Sequence, residues 1–394
     1  DLLDLFIDDM QPFSIVEDKG FQKLLSWIPG YIPPSRKTIS NSLIPALHEK
    51  ILNECRDILN TEAVTACITT DCWTSNNNDS FIAVTAHYIS PKFKFKSILL
   101  ECKGCPGSHT SDHLAQQIKG IILEWNLLNK VNFAVSDNAH NVCNAIITQL
   151  KWKHYGCFAH SLNLIVKEAV IPIQVTIEKV KKIVAHFKRS TQATEKLMKY
   201  QSNHLGMEQP KKLIMDVATR WNSTYLMVKR FMELSEAVKA TTAVINRDWP
   251  IVTEEEWTNL ELLVSVLAPF EEITSTLSGQ NYVTGGLAIV LSNSLQDICQ
   301  EMLQNRRYID AEVIQNVLLK LKWGLDTRFQ NIEQSKSLAL CTLLDPRFKL
   351  EMFKSDTNKN AIKEHCHELM AGILSRQVPI LNTVQVAPNA TVSG

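Results

Sequence analysis

The most constraining stretch of this sequence lies between residues 64 and 170, where the spacing of apolar residues alternates between strand and helix periods. Three runs rich in β-branched and aromatic residues come first, at 64–70, 80–89 and 96–102. They are separated by Asn76-Asn77-Asn78-Asp79 and by Pro91-Lys92, residue types that favour tight turns, so the three runs read as antiparallel hairpin strands. Residues 110–128 then carry Leu114, Ile118, Ile121, Ile122 and Trp125 at helical spacing. A fourth strand at 131–136, a helix at 138–150, a short fifth strand at 155–157 and a helix at 159–170 follow. A chain with this alternation must build a mixed sheet with helices on its faces.

Three antiparallel strands followed by alternating helices and strands is the order of a ribonuclease-H-like α/β fold. From about residue 175 the pattern turns helical and stays so to about 374, with breaks at 206–210, 248–250, 279–286 and 345–346. Before the sheet, residues 8–60 read as two helices and a turn, with Ser35 as an N-cap after Pro33-Pro34. The expected organisation is an N-terminal helical segment (1–60), the ribonuclease-H-like core (61–172), a large all-α insertion domain (173–376) and a disordered tail (377–394) that lacks periodicity.

Composition narrows the function classes. Hydrophobic residues make up 45% of the 394, which excludes wholesale disorder. Forty-one basic residues balance forty-one acidic ones, so any nucleic-acid binding must come from a local patch. No apolar run approaches the ~18 residues of a membrane helix. Ten scattered Cys suit a reducing compartment. The first residues lack an initiator Met and a secretory signal, which reads as a fragment or partial gene model.

Five groups of residues could carry chemistry. Asp71 and Asp137 each follow an apolar strand, and in this strand order those strands are neighbours, so the carboxylates converge at one end of the sheet. Hard oxygen ligands at one point suit Mg²⁺ or Mn²⁺ and phosphoryl chemistry; the plainer alternative is a pair of turn and helix caps. Arg220-Trp221 offers a guanidinium beside a flat ring, suited to a phosphate and an unpaired base, or else a core Trp with a surface Arg. His154, Cys157 and His160 lack a fourth zinc ligand nearby, although His160 could contact phosphate. Cys102, Cys105, His109 and His113 are crowded for a zinc quartet and read better as a strand-to-helix loop. The helix expected at 176–200 carries Lys179, Lys181, Lys182, Lys188, Arg189, Lys196 and Lys199 against Glu178 and Glu195, a local +5. It is either a phosphate-tracking face or a solvated one.

Seven motifs occur in order: Gln11-Pro12-Phe13-Ser14-Ile15-Val16-Glu17, Pro34-Ser35-Arg36-Lys37-Thr38, Thr69-Thr70-Asp71-Cys72-Trp73-Thr74-Ser75, Ser136-Asp137-Asn138-Ala139-His140-Asn141, Cys157-Phe158-Ala159-His160-Ser161-Leu162-Asn163-Leu164, Thr219-Arg220-Trp221-Asn222-Ser223-Thr224 and Leu343-Leu344-Asp345-Pro346-Arg347-Phe348-Lys349. Together they resemble the transposase domain of the hAT superfamily and the BED-type zinc-finger proteins derived from it. The resemblance implies a ribonuclease-H-like core interrupted by a helical insertion, with Asp71 and Asp137 as metal-binding carboxylates. It places the family's Cys-x-x-His on Cys157 and His160, and its base-handling Arg-Trp pair on Arg220 and Trp221. It also implies a third carboxylate, a Glu beside a dimerisation region. No matching motif follows Arg376, and Glu364 and Glu368 stand in a different context. No BED finger precedes Asp8.

Three functions follow as expectations. The first is a transposase-derived nuclear DNA-associated protein, related to chromatin or transcription, whose catalytic centre is incomplete in this chain; it needs no cofactor. The second is an active transposase using Mg²⁺ or Mn²⁺. The third is an interaction or dimerisation scaffold, in keeping with the homo-oligomer that the resemblance implies. DNA is the expected partner for the first two, and a membrane for none.

Overall fold

A computed structural model describes residues 2–217, 219–279 and 282–377. The described residues divide at Gly156/Cys157 into two compact units.

The first unit is built on a five-stranded sheet in the order β3-β2-β1-β4-β5. The strands are β1 (Ala66–Thr74), β2 (Ser80–Ile89), β3 (Phe95–Gly104), β4 (Val131–Ser136) and β5 (Lys153–Gly156). β1–β2 and β2–β3 pair antiparallel, whereas β1–β4 and β4–β5 pair parallel. Short turns join the first three strands, and helical crossovers supply the parallel pairs, as parallel pairing requires. This is the mixed ribonuclease-H-like sheet that the strand order implies. One face carries the core: Ile68, Ile82, Val84 and Ala134 are buried against Leu114, Ile118, Ile121 and Ile122 of the helix Ser111–Glu124. That helix starts where Thr110 accepts from the His113 amide, and Trp125 beyond its end donates its indole N–H to the Leu100 carbonyl at 3.1 Å.

Before the sheet, Ser35 does cap a helix start, accepting from the Thr38 amide at 3.1 Å. The main helix of that segment is Ile44–Glu62, preceded by several short helical turns rather than one long helix. Phe6, Val16 and Ile39 form a small cluster of their own.

The second unit is helical. Its principal helices are Phe158–Ala169, Gln174–Arg189, Thr191–His204, Trp221–Glu233, Glu254–Leu277, Leu287–Gln304, Glu312–Arg328 and Asp356–Gln377. Phe187, Phe231, Phe270 and Leu321 are fully buried in it, and Phe231 stacks on Trp257 with centroids 4.9 Å apart. The helix Glu254–Leu277 opens with a capping box between Thr253 and Glu256. The sequence reading put the boundary between units at 172/173. The structure groups the helix Phe158–Ala169 with the second unit, because it packs along Glu312–Arg328 and Phe158 stacks on Phe329 at 4.4 Å. The tail expected at 377–394 lies outside the described residues from 378 onward.

Candidate functional site

The parallel register of β1 and β4 pairs Ile68 with Ala134 and Thr69 with Val135. Asp71 and Asp137 therefore stand two residues further along neighbouring parallel strands, at the same end. Strand side chains alternate, and Ile68 and Thr70 are buried on the core side, so Asp71 belongs to the opposite side of β1, whereas Asp137 lies just past the end of β4, where alternation no longer sets a face. Asp71 is exposed and Asp137 is half-buried.

The expected strand end at residue 70 is not where β1 stops. It continues to Thr74, because β2 keeps pairing as far as Thr74↔Ser80. Asp71 thus sits within β1, where its Oδ1 accepts from the Cys72 amide at 3.0 Å. Asp137 lies just past β4 and accepts from the Ala139 amide at 3.2 Å. A side chain at Gly156 would collide with the amide of Asn138, so glycine there lets the Asp137 turn close against β5.

The surroundings report on both carboxylates. Burial pushes the Cys72 thiol up to about 12, and the charges of Cys105, Asp71 and Asp137 add to the shift, so both acids act on one thiol. Burial also raises Cys143, with Asp137 adding, and lowers His154, with Asp137 opposing. His154 lies 2.9 Å from the Ser136 hydroxyl. This ring of thiols and imidazole was not assigned to the acids from sequence, although Cys72 and Cys143 stand within the two aspartate motifs or beside them.

Two hard oxygen donors suit Mg²⁺ or Mn²⁺. Among the described residues, no group of three or more His, Cys, Asp or Glu side chains gathers to hold a metal. The residues present thus supply a pair rather than a full ligand set. Cys102 lies in β3 and His113 in the first turn of the helix Ser111–Glu124; between them Cys105 is buried with its Sγ 3.5 Å from His113 Nε2, and His109 Nε2 lies 3.4 Å from the Cys105 carbonyl. Cys157 precedes the helix Phe158–Ala169 and accepts on its carbonyl from Ser161, with His160 half-buried in the first turn.

In the second unit, Arg220 is exposed and Trp221 is not. Trp221 is 3% exposed, its backbone N–H donates to Asn163 Oδ1 at 3.1 Å, and its indole N–H has no partner among the described residues. Its ring lines a cavity of about 300 Å³ with Val166, Ile177, Lys181, Asp216 and Tyr225. The sequence reading gave no role to Asp216. Its side chain is 4% exposed and accepts from Lys181 at 3.0 Å, Ser223 at 2.7 Å and Thr224 at 2.8 Å. Burial alone would raise this carboxyl, but those bonds outweigh it and hold Asp216 below the usual carboxylate range. The hydroxyls of the Thr-Arg-Trp-Asn-Ser-Thr motif therefore hold a buried acid in place.

The basic stretch is two helices rather than one, since Ser190 ends the first and caps the second by accepting from the Ala193 amide. Lys181 bonds Asp216 and Glu178, and Lys179 bonds Glu256 at 2.7 Å. Lys182 and Lys188 are exposed.

Comparisons with known proteins add to this geometry. Residues 69–157 match the family described as the ZBED1 RNase-like domain, and residues 155–266 match the ZBED1 RNase-like helical domain. A maize (Zea mays) protein named as an AC transposase is 27% identical, with 91% of this chain and 46% of its own length aligned. Human (Homo sapiens) zinc finger BED domain-containing protein 6 is 28% identical over 88% of this chain and 37% of its own. A fungal protein named as the transcriptional regulator tpeD (Talaromyces stipitatus) is 27% identical over 69% of this chain and 37% of its own. The chain spans less than half the length of these relatives.

Proposed function

Since this chain belongs to the family of hAT transposases and the BED zinc-finger proteins derived from them, we propose that it serves as a DNA-associated protein of the nucleus, in chromatin or transcription, and that its ribonuclease-H-like sheet meets the DNA. The observation that carries this reading is the placement of Asp71 in β1 and Asp137 just past β4 at the same end of the sheet, the two strands being parallel neighbours. Two carboxylates there repel each other and repel phosphate. A divalent cation held by Asp71 and Asp137 would offset that repulsion and supply positive charge for a phosphate. The relatives bearing transcriptional-regulator and BED zinc-finger names support the nuclear role. Among the described residues no helix is long and apolar enough to cross a membrane.

The test is DNA binding by the full chain, read as fluorescence anisotropy of a labelled duplex. Without divalent ions, the double variant Asp71→Asn, Asp137→Asn should bind several-fold more tightly than wild type, since two negative charges are gone. With Mn²⁺, the wild type should gain affinity and the variant should not. Wild-type binding indifferent to both Mn²⁺ and salt would overturn the proposal. The same carboxylate pair favours a second reading, active transposase chemistry. Mn²⁺-dependent nicking of terminal-repeat DNA, lost in Asp71→Asn, would establish it over a purely binding role.

A further inference from the structure

β1 shows two different faces. Ala66, Ile68 and Thr70 are buried on one; Cys67, Thr69, Asp71 and Trp73 stand on the other. Trp73 is therefore the next side chain after Asp71 on the same face, and it is 40% exposed. Its direct cross-strand partner is Phe81, and the two rings stack with centroids 5.6 Å apart and planes 15° from parallel. Cross-strand packing accounts for the contact between the rings. It does not account for leaving a large indole so open beside an acidic pair.

The sheet leaves both outer faces of this stack without a strand side chain against them. On one side Phe81 pairs with Gly104, where a Cβ would meet only the Ser80 carbonyl oxygen, at 4.0 Å. On the other side β4 ends at Ser136, so β1 has outrun its parallel neighbour before it reaches Trp73. Two residues of strand cover about 6.7 Å, close to the reach from a nucleobase to its own phosphate. A base laid on Trp73 brings that phosphate to the end of the sheet where Asp71 and Asp137 stand. Trp221 lacks this openness, being enclosed in the helical unit.

We infer that the Trp73–Phe81 stack is a platform for an unpaired nucleobase, on a single strand whose phosphate lies at Asp71 and Asp137. This rests on the DNA-binding reading above and extends it to the form of DNA that the sheet prefers. Stacking is sequence-tolerant, since every base presents a π-face. It is also neutral, so its loss lowers affinity without changing the number of counterions released.

The experiment compares binding of the full chain, with Mn²⁺ at a fixed concentration, to a labelled oligothymidylate and to a blunt-ended duplex across a salt series. Trp73→Leu keeps an apolar partner for Phe81 but removes the indole face; it should weaken oligothymidylate binding about tenfold at every salt concentration, with the salt slope unchanged. Trp73→Phe should restore most of the loss, and duplex affinity should stay within about twofold of wild type in both variants. Thermal melting of Trp73→Leu checks that the sheet remains folded. If Trp73→Leu melts like wild type and binds oligothymidylate as tightly, or loses both DNA forms equally, the platform is refuted while the DNA reading stands. If wild type binds neither form in a salt-sensitive way, both fall.

Discussion

Cys72 shows how strongly one position feels the acidic pair. Burial is the largest cause of its raised pKa, ahead of Cys105, Asp71 and Asp137. With the thiol pushed up to about 12, only about one molecule in ten thousand carries a thiolate at pH 8. Since the thiolate is the nucleophile, iodoacetamide should modify Cys72 of the folded chain at least about a hundredfold more slowly than exposed Cys102, as read by peptide mass spectrometry. The rate should climb about tenfold per pH unit between pH 8 and 10. Asp71→Asn should speed it only modestly, because burial remains. Cys72 labelling as fast as Cys102 would show that the thiol is not enclosed. The shift also has a sign for stability. An unfolded Cys72 ionises near 9.0 while the folded one keeps its proton until about 12, so this residue's contribution is complete below pH 9 and declines as pH rises through that window.

At the scale of elements, packing across the helical unit decides what a substitution does. Gly324 lies in the helix Glu312–Arg328, and a Cβ there would come 2.9 Å from Ile165 Cγ2, 3.2 Å from Cγ1 and 3.4 Å from Cβ. Alanine gains about 1 kcal/mol of helix propensity over glycine, whereas overpacking costs roughly 1–3 kcal/mol. Ile165 is 1% exposed and its Cβ cannot rotate away, so the clash should win. Gly324→Ala should destabilise the chain by about 1 kcal/mol in urea melts, and Gly324→Val by more; a stabilised Gly324→Ala would mean that these helices part easily. Such contacts mark where sequence reasoning stops. The strands at 80–89 and 131–136 were legible to the residue, because alternation and flanking turn formers agree there. The end of β1 was not, since pairing with β2 rather than local composition carries it past Asp71 to Thr74. The helix expected from 138 begins at His140, because the Asp137 side chain first holds the Ala139 amide in a turn. The break at Ser190 had a readable capping signal that the run of lysines obscured. Asp71 and Asp137 were visible as neighbours from strand order alone. The burial of Trp221 and the Lys181–Asp216 bridge were not, because they depend on how separate helices meet.

For the whole molecule, charge sets the terms of any DNA contact. Forty-one positive and forty-one negative side chains cancel, so there is no long-range field to draw the chain to a polyanion, and affinity must come from a few local cations. The helix Gln174–Arg189 narrows the choice. Lys181 is bound to Asp216 and Glu178 and Lys179 to Glu256, so reversing either would test folding rather than DNA. Lys182 and Lys188 remain exposed. Each lysine that meets a phosphate adds about 0.9 to the slope of log affinity against log salt for duplex DNA. Lys182→Glu with Lys188→Glu should therefore flatten that slope by about two and weaken binding at low salt by at least about tenfold. Phosphate contacts carry no sequence information, so the loss should be the same for duplexes of different sequence. An unchanged slope would make this helix a solvated surface and shift the contact to cations elsewhere on the chain; a loss confined to one sequence would mean that these lysines reach base edges rather than the backbone.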